Sequence, residues 1–146
     1  LGAWLSWVEG SPFGYVVAIL STGTVLSLVG KKKQEAVAPA LARPQIEEAL
    51  SREIFRARRY ERPFAVVTIA GRDVEAEVRA LIRKTDDVGR WDDDRLLLVH
   101  SESTSDEATR LVERMKKEIG GELRFATTEF EANDSIGTIM QRLEEP

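Results

Sequence analysis

Nineteen consecutive residues without a charged side chain, residues 12–30, divide this chain into two unlike parts. As a helix they would be about 28 Å long, close to the ~30 Å hydrocarbon thickness of a bilayer. Tryptophan and tyrosine rings lie towards one end of the stretch, and three lysines follow the other end at residues 31–33. Aromatic rings favour a membrane interface, and lysines beside a span favour its cytoplasmic side. We therefore expect residues 1–33 to form an apolar leader with a transmembrane helix over 12–30.

This interpretation anchors the chain in the inner membrane of the cell, with the residues after 33 facing the cytoplasm. The alternative is that residues 12–30 form a buried helix or hairpin of a water-soluble protein, because their glycines, serines and threonines keep the hydropathy moderate. A cleaved signal peptide fits less well, since no basic residue precedes the apolar run.

The rest of the chain, residues 31–146, contains all 21 lysines and arginines and 24 of the 25 acidic residues. The absence of cysteine excludes a disulfide scaffold and metal sites built on thiolates. A single histidine, His100, excludes a metal centre held by several histidines. A formal net charge of −4 argues against a nucleic-acid-binding protein. We expect no metal site, no cofactor and no nucleic-acid partner.

Local patterns after the leader predict a linker and then one folded domain. Two prolines interrupt any long helix over residues 34–44, so we interpret these residues as a linker and place the domain over 45–146. The patterns predict, in chain order, a helix over 45–61, a strand over 63–70, a helix over 73–84, strands over 88–91 and 95–100, a helix opened by a T-x-x-E capping box at 104–107 and stopped by glycines at 120–121, a strand over 122–129, and a short helix capped by Asp134. This order is typical of an α+β, ferredoxin-like βαββαβ domain, which has a four-stranded antiparallel sheet with helices on one face.

Three segments carry a resemblance to a known family: RRYERPFAVVTI at 58–69, IRKTDDVGRWDDDRLLLV at 82–99 and DEATRLVERMK at 106–116. Over residues 45–143 the chain resembles the GGDEF domain of diguanylate cyclases, as a divergent relative. The resemblance implies the same ferredoxin-like core, a signature on the tip of a β-hairpin, and a Mg²⁺-binding aspartate at the end of the first strand.

The sequence departs from the family at these catalytic positions. The G-G-D/E-E-F signature is replaced by Asp92, Asp93, Asp94, Arg95 and Leu96, and Ala70 occupies the position of the metal-binding aspartate. Glycines let the backbone approach the nucleotide closely, whereas aspartates crowd it and repel phosphate. The segment after the first strand is also shortened, to one helix over 73–84. Joining two GTP molecules needs cations that neutralise phosphate charge, so we expect a degenerate GGDEF domain that is not an enzyme.

Arg83 and Asp86 form an R-x-x-D motif just before the signature. Members of the family bind cyclic di-GMP at such a motif, at the same spacing from the signature. Arg114 matches a second arginine of that binding site. The resemblance implies that these three residues bind the dinucleotide. An arginine can donate to guanine or grip a phosphate, and a carboxylate can accept from guanine N–H groups. The structural alternative is that Arg83 stabilises the end of its helix, Asp86 caps the turn, and Arg114 pairs with a neighbouring glutamate.

Three other features have mainly structural interpretations. We expect His100 to be a residue at the edge of the sheet, Trp91 to pack beside the hairpin, and the aspartates at 92–94 to form a solvated turn.

The sequence thus predicts a membrane-anchored, inactive signalling domain that binds cyclic di-GMP and regulates a membrane or cytoplasmic protein partner. Inactive domains of this family regulate exopolysaccharide secretion, and the resemblance implies that kind of role. The alternative is a nucleotide-independent interaction or dimerisation module, whose sheet or basic helix 45–62 docks a partner or a second copy. That helix's arginines form either a solvated face or a contact with anionic lipid.

Overall fold

A computed structural model describes residues 39–145. These residues form four helices and four strands: α1 (Arg43–Tyr60), β1 (Ala65–Ala70), α2 (Glu75–Leu81), β2 (Asp87–Arg90), β3 (Arg95–His100), α3 (Ser105–Ile119), β4 (Arg124–Glu129) and α4 (Ile136–Glu144). The predicted leader with its transmembrane helix at 12–30, and the first part of the predicted linker, lie outside the described residues. Within residues 39–145, no helix combines the length and the apolar character that crossing a bilayer requires.

The four strands form one antiparallel sheet in the order β2-β3-β1-β4. Strand β1 lies inside the sheet, and its Val67 is aligned with Leu98 of β3 on one side and Thr127 of β4 on the other. Along the chain the strands form two strand–helix–strand units, β1-α2-β2 and β3-α3-β4, and the strands of the two units alternate in the sheet. The predicted α+β, ferredoxin-like fold is confirmed.

Helices cover both faces of this sheet, which corrects the prediction of helices on one face. Successive side chains of a strand point to opposite faces. Val67 and Leu98 pack with residues of α2 and α3, whereas Val66 and Leu97 pack with residues of α1 and α4. All residues from 65 to 69 are therefore buried, including the polar Thr68, and β1 lacks the alternation of buried and exposed residues that is typical of a one-sided strand.

Two helices differ from their predicted bounds. Helix α1 begins at Arg43, and Pro44 lies in its first turn, where the missing N–H of proline costs no hydrogen bond. Helix α2 ends at Leu81, three residues before the predicted end at 84. The chain turns there because the Asp86 carboxylate accepts the backbone N–H of Arg83 at 3.1 Å.

The predicted N-cap is confirmed for α3 and wrong for α4. Thr104 and Glu107 form the predicted capping box of α3. The N-cap of α4 is Ser135 rather than the predicted Asp134, since the Ser135 hydroxyl accepts the backbone N–H of Thr138 at 3.3 Å. Asp134 instead binds Arg142, which lies in the last turn of α4.

Candidate functional site

A pocket of about 380 Å³ lies between the turn after α2, the end of β3 and one side of α3. Its lining residues are Leu81, Ile82, Arg83, Asp86, His100, Glu107, Arg110, Leu111 and Arg114. The structure therefore brings Arg83, Asp86 and Arg114, which the sequence singled out, to one place.

Helix α3 supplies one wall of the pocket through residues at regular helical spacing. Glu107, Arg110, Leu111 and Arg114 follow the i, i+3, i+4, i+7 pattern that lines one side of a helix. Of these four residues, the sequence predicted a ligand-binding role for Arg114 alone. The helical spacing itself was the signal that could have added Glu107 and Arg110, but only the packing of α3 shows that this side faces the turn after α2.

Two arginine side chains in the pocket have no protein partner among residues 39–145. Arg83 is exposed, and its hydrogen bonds with Asp86 use its backbone alone: its N–H donates to the Asp86 carboxylate, and its carbonyl oxygen accepts the N–H of Asp86. Arg110 is also exposed and pairs with no described carboxylate. Arg114 is held across the pocket, because its Nη2 donates to the carbonyl oxygen of Leu81 at 2.5 Å. The alternative pairing of Arg114 with a glutamate of its own helix is not observed.

Asp86 is buried beneath the pocket and is fully engaged by the protein. Only 1% of the residue is exposed. Its Oδ2 accepts the N–H of Arg83, and its Oδ1 accepts the N–H of Ser101 at 3.3 Å. The Nδ1 atom of His100 lies 3.0 Å from Oδ2, although it forms no regular hydrogen bond with the described residues. Asp86 thus holds the turn, as the structural alternative expected, and each of its oxygens accepts a backbone N–H.

The position of His100 corrects the expectation of a residue at the edge of the sheet. His100 ends β3, which lies between β2 and β1, and it is 3% exposed. Its burial against Asp86 makes it part of the floor of the pocket.

Trp91 is buried as expected, with the guanidinium of Arg43 stacked 4.4 Å from its ring centroid.

The signature-equivalent residues 92–96 comprise the tip between β2 and β3 (92–94) and the first two residues of β3, beside a second pocket of about 300 Å³. Arg95 Nε donates to Asp92 Oδ2 at 2.6 Å, and the N–H of Asp94 donates to Asp92 Oδ1 at 3.1 Å. Burial opposes ionisation of Asp92, but these hydrogen bonds outweigh it and lower the pKa of Asp92. Asp93 and Asp94 are exposed, as expected for a solvated turn, whereas Asp92 is a paired and partly buried residue.

The side chains at this tip do not fit the magnesium site that the resemblance implies. Strand β1 ends in Ala70, which has no oxygen in its side chain, and its partner across the sheet is Arg95. The Asp92 carboxylate is already bound by that arginine. Within the described part of the chain, no group of three or more metal-ligating side chains is close enough to hold an ion.

No family model and no curated protein matches this chain. Solved structures do match it. The diguanylate cyclase SiaD from Pseudomonas aeruginosa, in complex with its activator SiaC, aligns with a TM-score of 0.62 and 15% identity over 98% of this chain and 68% of that one. The GGDEF domain of DgcB from Caulobacter crescentus, in complex with c-di-GMP, aligns with a TM-score of 0.63 and 9% identity over 75% of this chain and 82% of that one. The active GGEEF domain of a diguanylate cyclase from Vibrio cholerae aligns with a TM-score of 0.61 and 16% identity over 71% of this chain and 86% of that one.

These neighbours correct the expectation that the chain is not an enzyme. SiaD and the Vibrio cholerae protein are diguanylate cyclases, and the second is described as active. The chain therefore shares its fold with enzymes, and it keeps that fold despite the replacements at residues 92–96. Residues 39–145 have the GGDEF fold of diguanylate cyclase domains.

Proposed function

We propose that this chain is a signalling domain that binds cyclic di-GMP in the pocket lined by Arg83 and Arg114. The observation that carries the proposal is the lining of this pocket, to which three arginines and three apolar side chains contribute. A solved GGDEF domain of the same fold was found with c-di-GMP bound. That complex supports the choice of ligand.

The chemistry of the pocket suits a molecule with both phosphates and planar bases. The guanidinium groups of Arg83 and Arg110 have no carboxylate partner among residues 39–145, so their charge is available to phosphate oxygens. Leu81, Ile82 and Leu111 provide apolar surface between the charged groups, against which a base can pack. The negative charge of Asp86 lies below this surface and is bound by two backbone N–H groups.

Calorimetric titration of the full chain with cyclic di-GMP tests the proposal. Replacing a phosphate-binding arginine removes charge-assisted hydrogen bonds, so Arg83→Ala and Arg114→Ala should each weaken binding by roughly tenfold or more. Arg124→Ala is the matched control, because Arg124 is exposed on β4 and lies outside this pocket. The proposal fails if the unaltered chain gives no heat at high micromolar ligand, or if all three variants bind as the unaltered chain does.

We further propose that ligand binding changes contacts with a protein partner at the inner membrane, in the manner of related domains that regulate exopolysaccharide secretion. The neighbour SiaD is a diguanylate cyclase in complex with an activator protein, which supports a protein partner in general terms. The uncharged residues 12–30 would anchor the chain, with the GGDEF fold on the cytoplasmic side. Release of the full chain from membranes by alkaline carbonate would contradict this anchoring.

The second candidate is a nucleotide-independent interaction or dimerisation module. Two large apolar side chains of α1 favour it, because Phe55 is 71% and Tyr60 59% exposed. Light scattering distinguishes this candidate. A dimer that Phe55→Ala dissociates, in a chain that does not bind the dinucleotide, would support it over cyclic di-GMP binding.

A further inference from the structure

The pocket needs a hydrogen-bond acceptor if it is to recognise guanine. The Watson–Crick edge of guanine presents N–H donors at N1 and at the exocyclic amine, and a carboxylate is the natural acceptor for them. In the sequence motif this acceptor is Asp86. In the structure Asp86 is 1% exposed, and both of its oxygens are engaged by backbone N–H groups.

Glu107 is the other carboxylate that lines the pocket. Its Oε2 accepts the backbone N–H of Thr104 at 2.9 Å and the Thr104 hydroxyl at 3.3 Å. Its Oε1 has no hydrogen-bond partner among residues 39–145, so the carboxylate is fixed by one oxygen and available through the other.

The surroundings of Glu107 keep the carboxylate ionised. The hydrogen bond from the Thr104 N–H lowers the pKa of Glu107, and the positive charge of Arg83 adds to the lowering. An ionised carboxylate accepts hydrogen bonds and donates none, so it complements the donors of guanine and opposes the lone pair at N1 of adenine.

We propose that Glu107 is the residue that selects guanine in this pocket, with Oε1 accepting from N1–H or from the exocyclic amine of the bound base. This proposal rests on the proposed binding of cyclic di-GMP and deepens it, because it transfers the role of acceptor from Asp86 to Glu107. Glu107 is then a specificity-determining residue as well as a helix-capping residue.

The two roles of Glu107 can be separated, because a capping box accepts glutamine as well as glutamate at this position. Glu107→Gln keeps the cap and replaces the ionised carboxylate by an amide. Thr104→Ala does the reverse, since it removes the capping hydroxyl and keeps the carboxylate. Glu118→Gln is the matched control, on the same helix but outside the pocket.

The experiment is a titration of the full chain and of each variant with cyclic di-GMP and with cyclic di-AMP. We expect the unaltered chain to prefer cyclic di-GMP, Glu107→Gln to lose roughly tenfold of that preference, and Thr104→Ala and Glu118→Gln to keep it. A preference that Glu107→Gln leaves unchanged overturns the role of Glu107. Equal binding of both dinucleotides by the unaltered chain overturns it as well, while binding of cyclic di-GMP still stands. If the unaltered chain binds neither, both proposals fail.

Discussion

Two buried aspartates, Asp86 and Asp134, organise turns through partners that lie on other parts of the chain. Asp86 accepts N–H groups from Arg83 and from Ser101, which lies fifteen residues further on. Asp134 accepts the N–H of Glu131 at 2.8 Å and binds the Arg142 guanidinium through both of its oxygens. The sequence predicted a helix cap at Asp134 and a ligand-binding role for Asp86, with a turn as the structural alternative for Asp86. It could not show that the partners include a distant backbone group and an arginine two helical turns away.

The pairing of Asp134 with Arg142 predicts a pH-dependent contribution to stability. Burial opposes ionisation of Asp134, but the hydrogen bonds from Arg142 and from the Glu131 N–H outweigh it and lower the pKa below the usual 3.8. A carboxylate with a lowered pKa in the folded state stabilises the fold above its unfolded pKa, and this contribution is lost as the pH falls through the folded pKa.

Replacement of Asp134 by Asn should therefore lower the free energy of unfolding by about 1–3 kcal/mol at neutral pH, as measured by urea denaturation. The difference from the unaltered chain should shrink as the pH falls below the unfolded pKa. Asp93→Asn is the control, because Asp93 is exposed at the hairpin tip and should change stability by less than about 0.5 kcal/mol. A difference that does not vary with pH would contradict the ionic role of Asp134.

At the scale of elements, local signals predicted the start and end of α3 and the bounds of β3 correctly. Helix α3 begins after Thr104, and it ends before Gly120 and Gly121, whose φ angles of 69° and 78° suit glycine. Strand β3 has the predicted bounds as well. Helix α2 was predicted too long because its apolar pattern continues past Leu81, whereas the Asp86 carboxylate ends the helix from outside.

The capping box of α3 predicts a measurable loss on truncation. Thr104→Ala removes the hydroxyl that accepts the Glu107 N–H, and it should cost about 1 kcal/mol of unfolding free energy. Thr104→Ser keeps the hydroxyl and should stay within a few tenths of a kcal/mol of the unaltered chain. Chemical denaturation measures both, and equal losses for alanine and serine would show that the box does not stabilise the helix.

At the scale of the whole molecule, the helices on the two faces of the sheet form two separate cores. Leu97 and Leu98 are adjacent residues of β3, both with no exposed surface, and they belong to different cores. The second core exists because α1 and α4 pack on the face of the sheet opposite to α2 and α3. Periodicity identified all four helices but not the face on which each one packs.

The two-sided sheet predicts that both leucines matter equally. Leu97→Ala and Leu98→Ala each leave a cavity in a packed core and should each cost about 2–5 kcal/mol of unfolding free energy. The exposed Thr127→Ala on β4 should change little. A near-neutral Leu97→Ala beside a damaging Leu98→Ala would mean that the face under α1 and α4 is not a packed core.

The candidate site shows the same division between local and long-range information. The spacing of Arg83, Asp86 and Arg114 was visible in the sequence, and the structure brings all three to one pocket. The sequence could not show that Asp86 is buried beside His100, or that Glu107 and Arg110 face the same space. Those facts depend on how α3 packs against the turn after α2.

The amino-acid sequence by itself determined the order of elements and the cap of α3, because these depend on short-range periodicity and hydrogen bonding, and its motifs carried the resemblance to GGDEF domains. Only the tertiary structure decided which face each helix covers, which carboxylates are buried, and which charged side chains remain available in the pocket. The physical reason is that burial and pairing are set by contacts between segments far apart in the chain, and local spacing carries no information about them.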